Sequence, residues 1–254
     1  MSTGNLYEWL QSPLGKYVLE REQQYLDEAV VDIFGFNAMQ LGLGQCAFLR
    51  TSRIPLRFTV APDGGANISA LGEELPIATQ SMDLVVLPHV LEFAAEPHQI
   101  LREVDRVMMP EGRVIITGFN PWSLWGLRQA LDLSRRDYPW CGTFISLVRM
   151  KDWLALLGFD VSAGKLGCYI PPVRSEKWRR RFGFMEPAGD RWWGVAGGVY
   201  MLQAIKRVRG MRLIMPKWET RAAEKAMAPL TGKAAGMMRG EGAADNVIEL
   251  RGKK

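Results

Sequence analysis

Residues 38–44 are AMQLGLG, a short apolar run that ends in two glycines separated by one leucine. A run of this kind predicts a buried strand, and the glycines predict a sharp turn directly after it. Because glycine has no side chain, such a turn lets the backbone come close to a ligand. Ligands of open α/β sheets bind at the carboxyl ends of strands, where this turn would lie. An ordinary tight turn explains the same pattern, so that alternative stays open.

The segments on either side alternate between helical and strand patterns. Ser12 and Pro13 have the pattern of a helix start, and apolar residues at helical spacing predict a helix over residues 17–34. Strands are predicted at residues 56–61, 82–87, 113–118, 159–162 and 199–205, and helices from Pro97 and over residues 150–157. Short buried strands separated by helices predict an α/β fold with a doubly wound, mostly parallel sheet.

The composition is that of an ordinary globular protein. The chain has 254 residues, 48% of them hydrophobic and 23% charged, with a net charge of +5. This length favours one α/β domain, which we expect over residues 1–215, followed by a basic, weakly ordered tail over residues 216–254.

Targeting signals and cysteine usage indicate a cytoplasmic protein. The start of the chain lacks the pattern of a signal peptide, and the longest uncharged apolar stretch, residues 192–205, is too short to span a bilayer. Cys46, Cys141 and Cys168 are odd in number and widely spaced, so we expect reduced thiols and no disulfide framework.

The glycine pattern alone is compatible with two kinds of nucleotide cofactor. Gly42, Gly44 and Ala47 satisfy the Gly-x-Gly-x-x-Gly/Ala pattern of dinucleotide-binding domains. Asp63 lies near the distance at which such domains place an acid that binds ribose. The blocks that follow in the sequence decide between the two.

Four downstream blocks carry a resemblance to a known family. They are EELPI at residues 73–77, SMDLV at 81–85, HVLEF at 89–93 and PEGRV at 110–114. In order and spacing these blocks resemble those of class I S-adenosylmethionine-dependent methyltransferases of the type 11 group. The resemblance implies a seven-stranded Rossmann-like sheet and methyl transfer from S-adenosyl-L-methionine, and it favours that activity over a nicotinamide enzyme.

The resemblance also implies where each part of the cofactor would lie. The glycine loop, residues 40–44, would line the methionine end, and Asp63 would face the ribose. Adenine would lie beside Glu74 and Leu75, and the sulfonium near Pro88 and His89. The implied cofactor-binding residues are therefore Gln40, Leu41, Gly42, Leu43, Gly44, Asp63, Glu74, Leu75, Pro88 and His89.

Three positions depart from the family pattern. Gln40 stands where the family usually places an acid, Cys46 where it places a third glycine, and Leu71 where an acid would bind the adenine amino group. Glutamine can hydrogen-bond but does not offset a positive charge. These departures motivate an alternative, a catalytically silent relative that binds RNA or a protein partner. The basic residues within 174–181 would serve an RNA, although they equally suit a solvated surface.

Candidates for catalysis and for contact with the methyl acceptor follow the predicted strands. His89 is the candidate general base, if the acceptor must lose a proton, and a structural histidine is the alternative. Asn120, Trp122 and Tyr138 are candidate substrate contacts, although Trp122 and Trp125 also suit one core face of a helix. His89, Glu92 and His98 match no usual zinc spacing, so we expect no metal. The acceptor, a small molecule or an RNA, is not specified by these residues.

Overall fold

The computed structural model describes residues 4–62, 65–131, 137–173, 177, 181–192 and 194–208. The elements of these residues are α1 (Gly4–Leu10), α2 (Pro13–Val31), β1 (Asn37–Leu41), β2 (Leu56–Ala61), β3 (Ile68–Ser69), β4 (Met82–Pro88), α3 (Pro97–Val107), β5 (Met108–Phe119), α4 (Leu124–Leu131), α5 (Leu147–Leu156), β6 (Phe159–Gly167), α6 (Met185–Trp192) and β7 (Val199–Lys206). The tail expected at residues 216–254 lies outside the described residues, so the boundary at residue 215 stays a prediction.

The strands form one sheet of seven in the order β3-β2-β1-β4-β5-β7-β6. β1 pairs in parallel with β2 and β4, and β4 pairs in parallel with β5. β7 runs antiparallel to both β5 and β6. The prediction of a doubly wound, mostly parallel sheet of seven strands is confirmed, and the antiparallel strand is the last one in the chain.

Helices cover both faces of the sheet because successive side chains of a buried strand point to opposite faces. On β4, Val85 and Leu87 pack in the cluster that contains α3 and α5 residues. Leu84 and Val86 pack in the cluster that contains α1 and α2 residues. Both faces of β4 are therefore buried, which explains its almost wholly apolar sequence.

The connection from β1 to β2 contains no helix within the described residues 42–55. Its apolar side chains nevertheless enter the core, where Phe48, Leu49 and Ile54 are buried in the same cluster as Leu26 and Val30 of α2. An irregular segment thus covers this part of the sheet. None of the helices in the described part of the chain is long and apolar enough to cross a membrane.

The start of α2 agrees with the sequence prediction. The Ser12 side chain accepts a hydrogen bond from the Gly15 backbone N–H at 3.1 Å, and Pro13 occupies the first turn. A Cβ on Gly15 would lie 2.2 Å from the Trp9 carbonyl oxygen and 2.5 Å from Leu10 Cα. The glycine therefore lets the end of α1 lie directly on α2.

We expect Gly15→Ala to lower the free energy of unfolding by about 1–3 kcal/mol, because the added methyl group would force α1 away from α2. Gly164→Ala is a matched control, since its Cβ would meet no atom closer than 3.4 Å. Urea unfolding followed by circular dichroism measures both. Equal stability of the two variants would contradict the close packing of α1 on α2.

Candidate functional site

The loops that follow β1, β2, β3 and β4 meet at the carboxyl edge of the sheet. They enclose a narrow cavity, here called the edge cleft, with a volume of about 50 Å³. The lining residues are Leu41, Gly42, Pro62, Leu71, Gly72, Glu73, Val90, Phe93, Ala94 and Ile100. The edge cleft therefore lies where open α/β sheets bind their ligands.

Both glycines of the glycine loop are required by contacts within the protein. Gly42 has a positive φ of 82°, and a Cβ there would lie 2.8 Å from Val90 Cγ2. A Cβ on Gly44 would lie 2.9 Å from the Ala66 nitrogen and 2.9 Å from the Gly65 carbonyl carbon. The loops after β2 and β4 thus close directly onto the glycine loop.

Gln40 organises the glycine loop from inside the protein, where its side chain is fully buried. Its Nε2 donates to the carbonyl oxygens of Gly42 at 3.1 Å, Leu43 at 2.9 Å and Cys46 at 2.9 Å. Its Oε1 accepts from the Phe48 backbone N–H at 3.1 Å. A carboxylate cannot donate to carbonyl oxygens, so this loop conformation depends on the amide.

The other implied cofactor residues lie in different surroundings. Leu75 belongs to the core, with its backbone N–H donated to Glu103 Oε2 at 3.0 Å, and Glu74 is exposed. Pro88 and His89 are buried and outside the residues that line the edge cleft. Asp63 lies outside the described residues.

After β3 the lining comes from Leu71, Gly72 and Glu73, none of which belongs to the cofactor-binding residues implied by the resemblance. At Leu71 the resemblance implies only that an acid is missing. Within the described lining, Glu73 supplies the carboxylate of the edge cleft. The available signal was that Glu73, the residue before Glu74, is also acidic. The orientation of the Glu73 side chain, however, depends on a turn that sequence patterns do not specify.

The edge cleft fits S-adenosylmethionine in position but not in width. Pockets that take cofactor-sized ligands have volumes of about 300–1,000 Å³, several times that of the edge cleft. Within the lining, the Val90 side chain lies against Gly42 and narrows the edge cleft there. This side chain would have to move for a cofactor to enter.

His89 lies at the end of β4 between two carboxylates. Its Nε2 is 2.6 Å from Glu22 Oε1 on α2, and its Nδ1 is 2.7 Å from Glu92 Oε2. The His89 side chain is fully buried, and Glu92 Oε1 also accepts from the Phe119 backbone N–H. The imidazole thus connects α2 with the loop after β4, and Glu92 connects that loop with the end of β5.

The two carboxylates determine the charge of His89. Burial alone would lower its pKa, but the charges of Glu22 and Glu92 and their hydrogen bonds outweigh burial and raise the pKa from 6.5 to about 10. His89 is therefore an imidazolium at neutral pH, with both ring N–H groups donated. The geometry does not favour the general-base role, which stays a prediction.

A second and larger cavity, here called the aromatic pocket, lies beside the α1–α2 junction. Its volume is about 330 Å³, within the range of small-molecule sites. Its lining residues are Trp9, Ser12, Pro13, Leu14, Arg128, Asp137, Tyr138 and Trp140. Of the three predicted substrate contacts, Tyr138 lines this pocket.

Two aromatic rings in contact with each other lie between the two cavities. Phe93 lines the edge cleft, Tyr138 lines the aromatic pocket, and their ring centroids are 5.1 Å apart. A Cβ on Gly142 would lie 2.5 Å from Phe93 Cε1, so Gly142 allows this ring its position. The two cavities therefore have a common wall.

Asn120 and Trp122, the other predicted substrate contacts, lie outside the lining of the two cavities. Asn120 is buried, and its Nδ2 donates to the carbonyl oxygens of Val195 at 2.9 Å and Gly197 at 3.0 Å. Trp122 is exposed over 76% of its surface. Their contact with a substrate stays a prediction. Among the described residues, no group of three His, Cys, Asp or Glu side chains is placed to hold a metal ion.

Comparison with known proteins gives the family of this fold. Residues 56–116, from β2 into β5, match the family model of a methyltransferase domain. Over these residues the chain resembles a methyltransferase domain, and its fold is that of S-adenosylmethionine-dependent methyltransferases. The resemblance drawn from the sequence is confirmed, and the matched residues begin after the glycine loop.

Solved structures share the fold of this chain. An S-adenosylmethionine-dependent methyltransferase of Thermotoga maritima is 15% identical, with a TM-score of 0.56 over 81% of this chain and 97% of that one. The Haloferax volcanii methyltransferase solved in complex with the Trm112 activator is 14% identical, with a TM-score of 0.58 over 84% of this chain and 100% of that one. At these identities the likeness concerns the fold.

A curated relative of higher identity is the uncharacterized protein YafS of Escherichia coli. It is 32% identical over 155 residues, which are 60% of this chain and 65% of YafS. The matched part of the chain thus spans slightly less than two thirds of that relative.

We expect Gln40→Glu to destabilise the methyltransferase domain by about 3 kcal/mol or more, because a buried carboxylate would face three carbonyl oxygens. Gln24→Glu makes the same change on the exposed face of α2 and is the control. Urea unfolding at pH 7 measures the difference. Stability of Gln40→Glu equal to that of Gln24→Glu would contradict the role of the amide.

The raised pKa of His89 predicts a pH dependence of stability. The stabilisation that the charged His89 provides is fully present below pH 6.5 and is lost as the pH rises through about 10. The free energy of unfolding should therefore fall across this range. His89→Gln should remove that fall and lower stability near pH 6.5 by about 3–5 kcal/mol, since the carboxylates lose their partner. Urea titrations at several pH values measure this. The control is His98→Gln, at the exposed histidine, which should keep the wild-type dependence of unfolding free energy on pH. The same wild-type dependence in His89→Gln would refute the charge assigned to His89.

Proposed function

We propose that this chain is an S-adenosylmethionine-dependent methyltransferase in which the edge cleft takes the cofactor and the aromatic pocket takes the methyl acceptor. The observation that supports this most is the contact between the two cavities, where Phe93 of the edge cleft lies against Tyr138 of the aromatic pocket. Methyl transfer requires donor and acceptor to be held in line at close range and shielded from water. Adjacent cavities with a common wall suit that requirement.

The residues that would hold the cofactor are those of the cleft lining. The backbone of Gly42 and the Leu71–Glu73 segment lie at the edge where the family binds S-adenosylmethionine. When bound, the cofactor supplies a methyl group that its sulfonium has already activated. The contribution of this chain is then to orient the acceptor, exclude water and leave a passage between the cavities at Phe93.

His89 is not part of this proposal as a base. Both of its ring nitrogens are paired with carboxylates, so its imidazolium holds α2 and the loops in place. An acceptor that needs no deprotonation before attack suits such a site. We likewise propose a cytoplasmic location and a methyl acceptor that is a small molecule or an RNA.

Cofactor entry requires the edge cleft to widen. Val90 is the side chain that lies against Gly42, and its truncation would remove one obstruction at the margin of the core, where Val90 is only partly buried. Val90→Ala is therefore the variant that should make binding easier. Val148→Ala, which shortens an exposed valine of α5, is the matched control.

We expect isothermal titration calorimetry to detect binding of both S-adenosylmethionine and S-adenosylhomocysteine to the wild-type chain. Val90→Ala should tighten both by at least about threefold, because less side chain must be displaced, whereas Val148→Ala should leave them unchanged. If neither compound releases heat with the wild type or with Val90→Ala, the methyltransferase proposal fails. Heat from NAD instead would revive the dinucleotide alternative.

A second candidate function is a catalytically silent methyltransferase-fold protein that acts by binding. The narrow edge cleft and the dependence of the glycine loop on the Gln40 amide favour it. It predicts no binding of S-adenosylmethionine together with retained binding in the aromatic pocket. The basic residues that would serve an RNA, within 174–181, lie mostly outside the described residues, so an RNA partner rests on the sequence alone.

A further inference from the structure

The helix α4 has apolar residues on the side that is exposed to solvent. Leu124, Leu127 and Leu131 are exposed over 43, 55 and 72% of their surfaces. Their spacing of three and four residues places them on one side of the helix, and Ala130 is exposed there as well. A surface helix ordinarily turns polar residues to solvent and apolar residues to the core. In α4 the exposed residues are all apolar, which is the reverse of that pattern.

Buried contacts fix this orientation of α4. Trp125 is buried, and its Nε1 donates to the Ile170 carbonyl oxygen at 3.0 Å. A Cβ on Gly126 would lie 2.0 Å from the Pro121 carbonyl oxygen, so the glycine lets α4 pack closely on this side. Rotation of the helix would expose Trp125 and break its hydrogen bond, which is costly for a buried donor. The leucines therefore stay on the outside.

Two further exposed apolar residues lie beside these leucines. Trp122, the second residue before α4, and Val195 are both largely exposed. The Asn120 side chain accepts from the Trp122 backbone N–H at 3.1 Å and donates to the Val195 carbonyl oxygen at 2.9 Å, which holds the two segments together. Exposed apolar residues close to one another mark an interaction surface. We call the following residues the leucine face: Trp122, Leu124, Leu127, Ala130 and Leu131.

Exposed basic residues follow or precede the two segments that are bonded to this part of the chain. The Arg128 guanidinium donates to the Pro172 carbonyl oxygen, and Lys177, five residues later, is exposed. Arg191 is exposed at the end of α6, four residues before Val195. Five extended residues span at most about 18 Å, so both cations lie near the leucine face.

The charge of the neighbouring sequence has the same sign. Residues 120–137 contain three basic and two acidic residues, and residues 171–195 contain six basic and three acidic ones. One of these acids, Glu186, is buried and accepts from the Tyr169 backbone N–H at 2.8 Å. The surroundings of the leucine face are therefore positive on balance.

An apolar face with positive surroundings fits the surface of an anionic membrane. Leucines on one side of a helix insert between lipid headgroups, and tryptophan favours the membrane–water interface. Basic residues beside such a helix are attracted to anionic headgroups. A symmetric contact between two copies would instead bring the same positive surroundings together, which disfavours that contact.

We infer that the leucine face docks on the surface of a bilayer that contains anionic lipids. In this arrangement α4 lies in the plane of the interface, with its leucines towards the acyl chains and with Lys177 and Arg191 near the lipid phosphates. The inference goes beyond the proposed function, because docking needs no cofactor and is measured without one. Since α4 also contributes Arg128 to the aromatic pocket, docking brings that pocket close to the membrane.

Sedimentation of the full chain with lipid vesicles tests this docking. We expect binding to vesicles of phosphatidylcholine that contain about one quarter phosphatidylglycerol, and binding at least about tenfold weaker to phosphatidylcholine alone. Raising the salt concentration from about 0.1 M to about 1 M should weaken the binding, since salt screens the attraction. Absence of binding to the anionic vesicles would overturn the inference, as would equal binding to both kinds of vesicle.

Substitution of leucines distinguishes docking through the leucine face from attraction by charge alone. Leu127→Gln/Leu131→Gln keeps the net charge and should weaken binding to the anionic vesicles at least about tenfold, because two side chains no longer insert. Val148→Gln/Leu156→Gln, at two exposed residues of α5, is the matched control and should bind as the wild type does. Wild-type binding by the Leu127→Gln/Leu131→Gln variant would overturn the inference.

Circular dichroism shows whether these variants fold. If Leu127→Gln/Leu131→Gln does not fold, Trp122→Ala takes its place and should weaken binding about threefold or more, because the indole no longer reaches the interface. Unchanged binding by Trp122→Ala would then count against docking in the same way.

A second copy of the chain is the competing occupant of the leucine face. Sedimentation velocity without vesicles distinguishes it, and we expect Leu127→Gln/Leu131→Gln to leave the oligomeric state unchanged. A dimer that this variant dissociates would assign the leucine face to a second copy and would overturn membrane docking.

Discussion

The geometry of the whole carboxyl edge depends on the buried imidazolium of His89 between Glu22 and Glu92. Removing two carboxylates from water is costly, and a single histidine cation offsets this only if its geometry is close to ideal. Both of its nitrogens are within 2.7 Å of a carboxylate oxygen, and Glu92 Oε1 accepts from the Phe119 backbone N–H, whereas Glu22 Oε2 is buried without a hydrogen-bond partner in the described part of the chain. Glu22 lies on α2, so this interaction ties the first long helix to the end of the central strand. Because the α1–α2 junction forms one wall of the aromatic pocket, the position of that pocket also depends on the interaction of His89 with Glu22.

Much of the fold could be predicted from local patterns, because buried parallel strands are short apolar runs and helices have apolar residues at a fixed spacing. β2 and the start of α3 agree with their predicted positions, whereas β5 and β6 are longer than expected. The two-residue strand β3 was missed because it is too short to show a period. The short helices α1 and α6 were also missed, since each has at most eight residues and depends on tertiary packing. At α4 the sequence offered a helix as the alternative for Trp122 and Trp125, and the observed helix contains Trp125 but not Trp122.

The site was less predictable, because its contacts join residues far apart in the sequence. Glu22 lies four residues after Val18 and four before Leu26, so its place on the apolar face of α2 was the available signal. Its partner His89 is 67 residues away, and no local pattern connects the two. The glycines at positions 42 and 44 indicated close approach to a ligand, yet Val90 and the Gly65–Ala66 backbone are what approach them. Gln40 was recognised as a departure from the family pattern, and the structure gives its consequence, an amide that donates to three carbonyl oxygens.

The edge cleft, though narrow, would have to open to admit the proposed cofactor. Hydrogen exchange followed by mass spectrometry, with and without saturating S-adenosylhomocysteine, tests this opening most directly. We predict altered exchange in peptides that cover residues 40–48 and 65–73, and unchanged exchange in a peptide from β6. Unchanged exchange in both of the first two peptides would contradict it.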